Sequence, residues 1–117
     1  MGVIEMITKT DIELTQEVRD LLAKGWCQHD VAQDDEGNQV DCVTDANATK
    51  FCLFGACERV DKNNDTPNYI YNIINNHIES IFNGKIYGIQ YNDSSGRTKK
   101  EVLSLLDKVI LQMEKGE

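Results

Sequence analysis

The run Phe51-Cys52-Leu53-Phe54-Gly55-Ala56-Cys57 is apolar on nearly every side. A helix without a polar face is buried by its neighbours rather than laid on a surface, so the rest of the chain must supply elements that surround it. The pattern predicts a helix from Asp45 to Lys62, capped by Thr44 or Asp45, with this run at its centre. Gly55 costs such a helix about 1 kcal/mol relative to alanine. That cost is tolerated where another backbone must come close, so tight packing is expected there. A chain of 117 residues makes one globular domain and can bury roughly two-thirds of its unfolded surface. The expected division is a lead-in at 1–9, a compact core at 10–114 and a tail at 115–117.

The surrounding elements are legible from caps and periodicity. Thr10-Asp11-Ile12-Glu13 matches a capping box, and Leu14, Val18, Leu21 and Leu22 follow at helical spacing, which predicts a helix over 10–24 stopped by Gly25. Segments 26–33 and 38–43 read as short strands of a hairpin around Asp34-Asp35-Glu36-Gly37-Asn38, where Gly37 can take positive φ. Thr66-Pro67 reads as a cap followed by proline in the first turn, opening a helix with Ile70, Ile73, Ile74, His77, Ile78 and Ile81 on one face and ending at Gly84. Residues 85–91 are rich in β-formers and predict a short strand or extended segment. Thr98-Lys99-Lys100-Glu101 is a second capping box. It opens a helix carrying Val102, Leu105, Leu106, Val109, Ile110 and Met113, with Gly116 just past its end. The fold class is therefore α+β: a mainly helical single domain of about four helices, a small antiparallel β-hairpin and room for a third short strand.

Three segments stand out: Gly25-Trp26-Cys27-Gln28 with the Asp-rich turn at Gly37, Phe51-Cys52-Leu53-Phe54-Gly55-Ala56, and Tyr91-Asn92-Asp93 followed by Gly96-Arg97-Thr98. Together they resemble a small uncharacterised family of bacterial and phage proteins, a domain of unknown function. The family carries a Trp-Asn-Asp run in the third segment, so Tyr91 replaces one aromatic by another. The resemblance spans the chain from its first helix to its last. It implies a shared fold and a bacterial or phage origin, and it implies no reaction.

Charge narrows the function classes. With 12 Lys and Arg against 20 Asp and Glu, the net charge is −8. That disfavours nucleic acid as a partner, because binding phosphates needs a surplus of cations. It also disfavours anionic membranes, and no stretch approaches the roughly 20 apolar residues of a membrane span. Glu5 interrupts the start of the chain, so it lacks the pattern of a signal peptide. Met6 stands where a myristoylation motif wants Ser or Thr. A cytoplasmic protein is expected, and its four cysteines are then expected to be reduced thiols.

No glycine-rich phosphate loop, HExxH or GxSxG motif occurs, and no cofactor is expected. The cysteines at 27, 42, 52 and 57 do not have zinc-site spacing. On one helix, Cys52 and Cys57 would stand about 140° apart, as small core hydrophobes. Cys27 and His29 would share a strand face, but no third residue that could orient them is evident, and the acidic surroundings raise a thiol pKa. Between Lys24 and Lys50 there is no basic residue, yet there are six acids: Asp30, Asp34, Asp35, Glu36, Asp41 and Asp45. Calcium does not explain them. Setting Gly37 at the invariant glycine of an EF-hand loop puts Ala32 and Val43 at the ligand positions that begin and end it. They form either a solvated hairpin or an acidic docking face for a basic protein surface. Trp26 is the single tryptophan, a core anchor where helix turns into strand. Tyr91, Asn92, Asp93 and Arg97 form either a small polar pocket or a capped turn.

The leading expectation is a small non-catalytic binding protein. Its candidate surfaces are Asp34, Asp35 and Glu36 together with Asn92 and Asp93. A phage inhibitor of a host or defence protein fits its size and charge. The alternatives are a small-molecule binder or enzyme with a pocket near Trp26, Cys27, His29, Tyr91 and Asn92, and a metal-binding protein using Cys and His.

Overall fold

The computed structural model describes residues 7–63 and 65–116, so the first part of the expected lead-in and the last residue of the expected tail lie outside the described residues. The first helix, α1 (Lys9–Lys24), is capped by Thr8 rather than Thr10. Thr8 Oγ1 accepts from Asp11 N at 3.1 Å and Asp11 Oδ2 accepts from Thr8 N at 2.9 Å. Asp11 wins over Glu13 as the acid of the box because it is buried, with its other oxygen taking the Tyr69 hydroxyl at 2.6 Å. One side chain thus closes α1 and ties it to a distant helix.

Gly25 ends α1 in extended backbone, not in a left-handed stop. Its lack of a side chain serves a close approach instead, since a Cβ there would sit 2.1 Å from Thr49 O. The chain then builds a small sheet that differs from the expected hairpin. Strand β1 (Ala32–Gln33) pairs antiparallel with β2 (Lys50–Phe51), in the register Ala32 to Phe51 and Gln33 to Lys50. The Asp34–Asn38 turn does form, but residues 38–43 reach β1 only through a bridge at Gln39 and the bond from Val40 N to Ala32 O. The strand reading of 26–33 fails as well, because residues 28–31 form a bend. The reason is that β2 takes partners on both sides. Phe51 exchanges backbone bonds with Gly25 and Cys27, both at 3.0 Å, while Cys52 N and Thr49 N donate to Val31 O and Gln33 O.

The central helix α2 (Leu53–Val60) is shorter than the expected 45–62, because residues 50–51 are drawn into the sheet and Cys52 becomes its cap. Cys52 Sγ accepts from Gly55 N at 3.3 Å. Gly55 is tightly packed as expected: a Cβ would stand 1.9 Å from Val31 O. A 3-10 turn at Asp61–Asn63 follows. Helix α3 (Tyr69–Ile81) starts after Asn68, whose φ of 57° places Thr66 and Pro67 in the preceding turn rather than at cap and first turn. Asp61 supplies the missing cap, its Oδ2 accepting from Ile70 N at 2.9 Å.

Residues 85–91 are not a strand. Helix α4 (Gly88–Asp93) stands there, its first N–H groups received by α3: Gly88 N donates to Asn75 Oδ1 at 2.6 Å and Ile89 N to Tyr71 Oη at 3.1 Å. Tertiary acceptors override a local β preference. Helix α5 (Lys99–Glu114) has the expected Thr98/Glu101 capping box. It runs antiparallel to α1: Lys99 Nζ donates to Ala23 O, Arg19 pairs with Asp107, and Thr15 Oγ1 meets Met113 Sδ. The result is α+β, with five α-helices rather than four among the described residues and a two-stranded antiparallel sheet. Its core gathers Val18 and Leu22 of α1, Leu53, Ala56 and Cys57 of α2, Ile70, Ile74 and Ile78 of α3, and Val102, Leu106 and Val109 of α5.

Candidate functional site

Asn92 lies at the centre of the residues singled out by sequence. It is 1% exposed, so each of its amide atoms must find a protein partner, and each does. Its Oδ1 accepts from Trp26 Nε1 at 2.7 Å and from Leu53 N at 3.0 Å. Its Nδ2 donates to Cys27 O at 3.2 Å and to Asp93 Oδ1 at 2.8 Å. One side chain therefore uses two acceptor and two donor positions, the full capacity of a primary amide. It joins the end of α4, the start of α2 and the segment after α1. Gln28 adds to the knot, donating through Nε2 to Asn92 O at 3.0 Å and Ser94 O at 2.9 Å. Gln28 has no distinguishing sequence signal beyond its place beside Trp26 and Cys27.

The other candidates arrange themselves around this knot. Asp93 Oδ1 also accepts from His29 N at 3.0 Å, while the His29 residue is exposed and has a φ of 72°. Cys27 and His29 do not share a strand face, because the chain bends between them. The Cys27 thiol instead turns to Asp30 O at 3.4 Å. Tyr91 packs against Phe82, and Arg97 lies 3.6 Å over its ring. The Arg97 guanidinium also donates to Tyr91 O at 2.9 Å and pairs with Glu101. Tyr91, Asn92, Asp93 and Arg97 thus build a helix end and its turn, with the polar groups of Asn92 spent on the protein itself.

The thiols sort by environment. Burial, then the neighbouring Cys52, Asp30 and Asp93, pushes Cys27 up to about 12. Burial raises Cys52 and, more strongly, Cys57. Cys42 is exposed, and the Thr44 hydroxyl lowers its pKa. Among the described residues, no three His, Cys, Asp or Glu side chains gather as metal ligands would. No described helix is long and apolar enough to cross a membrane.

The acidic segment is a separate surface. Asp35, Glu36 and Asp41 are exposed, and Asp34, Asp35 and Glu36 border a shallow groove with Ala46, Asn47 and Thr49. Its backbone is held in place. Asp34 N donates to Asn38 O at 2.9 Å, Thr49 N to Gln33 O at 2.9 Å, and Arg59 Nη1 to Val43 O at 3.1 Å. Asp34 Oδ1 accepts from Glu36 N and Asn38 N, both at 2.9 Å, and these bonds, that from Asn38 first, hold its carboxyl below the usual range. Asp45 Oδ1 likewise accepts from Asn47 N at 2.8 Å.

A family described as a family of unknown function, DUF6197, matches residues 6–112. No curated protein and no solved structure matches the chain.

Proposed function

We propose that this chain, which belongs to the DUF6197 family, acts by contact rather than catalysis, presenting its acidic loop to a basic surface on a partner protein. The observation that carries the reading is the loop between β1 and β2. It holds acids and no base, and backbone bonds at Asn38 and Gln33 with the Arg59 side chain on Val43 O fix its shape. A surface that is ordered before binding avoids the entropic cost of ordering on contact. A concentrated negative field speeds encounter with a cationic partner. The alternative of a ligand pocket at Trp26 and Asn92 has less support, since the Asn92 amide has no free position to offer.

Charge reversal tests the reading. Asp35→Lys with Glu36→Lys is preferable to a change at Asp34, whose side chain builds the turn. A partner is captured from the native host with the unaltered chain, purified, and its association rate measured against salt. The reversal should slow association at low salt by about tenfold or more, and the difference should fade as salt rises. Equal rates for both proteins at every salt concentration would remove the acidic loop from the interface.

A further inference from the structure

Cys27 and Cys52 each follow a bridged residue on neighbouring backbone segments. Trp26 and Phe51 form a parallel bridge, in which Phe51 N donates to Gly25 O and Cys27 N to Phe51 O, both at 3.0 Å. Cys27 and Cys52 are the residues that follow this bridge on the two segments, just before the Asn92 amide enters between Cys27 O and Leu53 N, and Cys52 is the nearest charge-bearing neighbour of the Cys27 thiol. Side chains alternate between faces along each segment, so the residues that follow a bridged pair leave it on the same side, from backbones about 4.8 Å apart at the bridge itself. A disulfide spans Cα separations of about 4.4 to 6.8 Å. The thiols are 7% and 8% exposed, so both sit just below the surface. Neither is held by a strong bond: Cys27 Sγ donates weakly to Asp30 O, and Cys52 Sγ accepts from Gly55 N, which a disulfide sulfur can also do.

We propose that Cys27 and Cys52 form a reversible disulfide by exchange with a low-molecular-weight disulfide of the glutathione type. One protein thiol loses its proton to solvent, and its sulfur attacks the small disulfide, whose S–S bond breaks as one thiolate leaves and takes up a proton. The second protein thiol, deprotonated in turn, attacks the mixed disulfide and expels the second small thiol. Two protein S–H groups are oxidised and one small disulfide is reduced to two thiols. Burial keeps both thiols protonated at neutral pH, so exchange is slow there and accelerates with alkalinity. The new bond closes a ring that contains all six acids from Asp30 to Asp45, and it anchors the base of that ring to the start of α2. This pairing stands on the bridge at Trp26 and Phe51 and on the nearness of Cys52 to the Cys27 thiol, and it is independent of the docking reading.

The test uses the full chain with Cys42→Ser, which removes the exposed thiol that would react first. The protein is incubated with oxidised glutathione at mildly alkaline pH and examined by intact mass, peptide mapping with fragmentation, and thermal melting. The expected product has lost two hydrogens and has no glutathione attached. Its map joins peptide 25–50 to peptide 51–59 through Cys27 and Cys52, its Tm is several degrees higher, and dithiothreitol reverses all three changes. Adding Cys52→Ser keeps a capping acceptor at the start of α2 and should stop the reaction at a glutathione adduct on Cys27. Thiols that stay free, a stable glutathione adduct on the Cys42→Ser protein, or a link through Cys57 would each overturn the pairing.

Discussion

The Asn92 knot gives the sharpest test of what holds this molecule together. Replacing Asn92 with alanine removes the acceptor for the indole N–H of Trp26 and the N–H of Leu53, and the donor to Cys27 O. Leu53 N heads the central helix and lies in the core, and the Cys27 carbonyl belongs to a buried residue. Each buried polar group left without a partner costs about 1–3 kcal/mol. The Trp26 indole is half-buried and Asp93 lies nearer water, so they contribute at the low end. The expected loss is ~3–5 kcal/mol by this count, measured by urea unfolding and followed through the fluorescence of the single tryptophan. Asn92→Asp sharpens the test. It keeps the acceptor for Trp26 and Leu53 but turns a second oxygen toward Cys27 O and the Asp93 carboxylate. A carboxyl buried in that setting has its folded-state pKa raised. It is then least destabilising below the ordinary aspartate range, and stability is lost as pH rises toward the raised value. An alanine variant less than ~1 kcal/mol below the parent, the net worth of one ordinary hydrogen bond, would refute the argument. So would an aspartate variant with no such pH dependence.

Other consequences follow from the same geometry. Gly55→Ala gains helix propensity of about 1 kcal/mol yet places a methyl 1.9 Å from Val31 O. The clash should win and lower stability by ~2 kcal/mol or more in denaturant unfolding. Glu101 has its pKa lowered, first by the Thr98 backbone N–H. Its contribution is therefore present above the ordinary glutamate range and lost as pH falls through the lowered value, so melting curves of the parent and Glu101→Gln should converge in acid. Asp61 runs the other way. Burial raises its pKa, and its Oδ1 has no hydrogen-bond partner among the described residues. Its contribution is full below the ordinary aspartate range and fades as pH rises through the raised value, a slope that Asp61→Asn should abolish. A thiol reagent at neutral pH should label Cys42 quickly and Cys57 only on unfolding, because Cys42 is exposed and Cys57 is not.

How much of this was legible in the sequence depends on where each element finds its partners. Helix α5 could be read directly: Thr98 and Glu101 cap each other locally, and one apolar stripe follows. For α1 the period was clear but the cap was not. Thr8/Asp11 and Thr10/Glu13 are both acceptable boxes, and the choice rests on a hydroxyl from Tyr69, far along the chain. The segment 85–91 has β-forming side chains, but the first N–H groups of its helix are received by acceptors on Asn75 and Tyr71, which no local pattern reveals. The same reason hides the role of Asn92. The Asn-Asp pair reads as turn chemistry, and it does end a helix, but three of the four bonds that make Asn92 a hub go to distant residues chosen by the fold, the fourth to its neighbour Asp93.

The apolar run from Phe51 to Cys57 shows the limit most clearly. Its burial could be deduced, because a segment with no polar face has to be covered. Its division could not. Phe51 belongs to a strand with partners on both sides, Cys52 caps a helix through sulfur, and only from Leu53 onward does the helix exist. Hydrophobic periodicity cannot separate a short buried strand from a buried helix turn, and cysteine is not among the side chains that normally announce a cap. What divides the run is the approach of Gly25 to Thr49 and of Gly55 to Val31. Both contacts require a missing Cβ, and a glycine in sequence does not reveal which backbone it admits. The two glycines set the spacing of the segments around β2, and that spacing brings Trp26 and Leu53 within reach of a single amide. The same reasoning makes Gly25→Ala an independent check. A Cβ there meets Thr49 O at 2.1 Å, so the variant should displace β2 from the 25–27 segment and alter Trp26 fluorescence even where the helices persist. Unchanged emission in a folded Gly25→Ala protein would mean that the close approach does not hold the Asn92 knot in place.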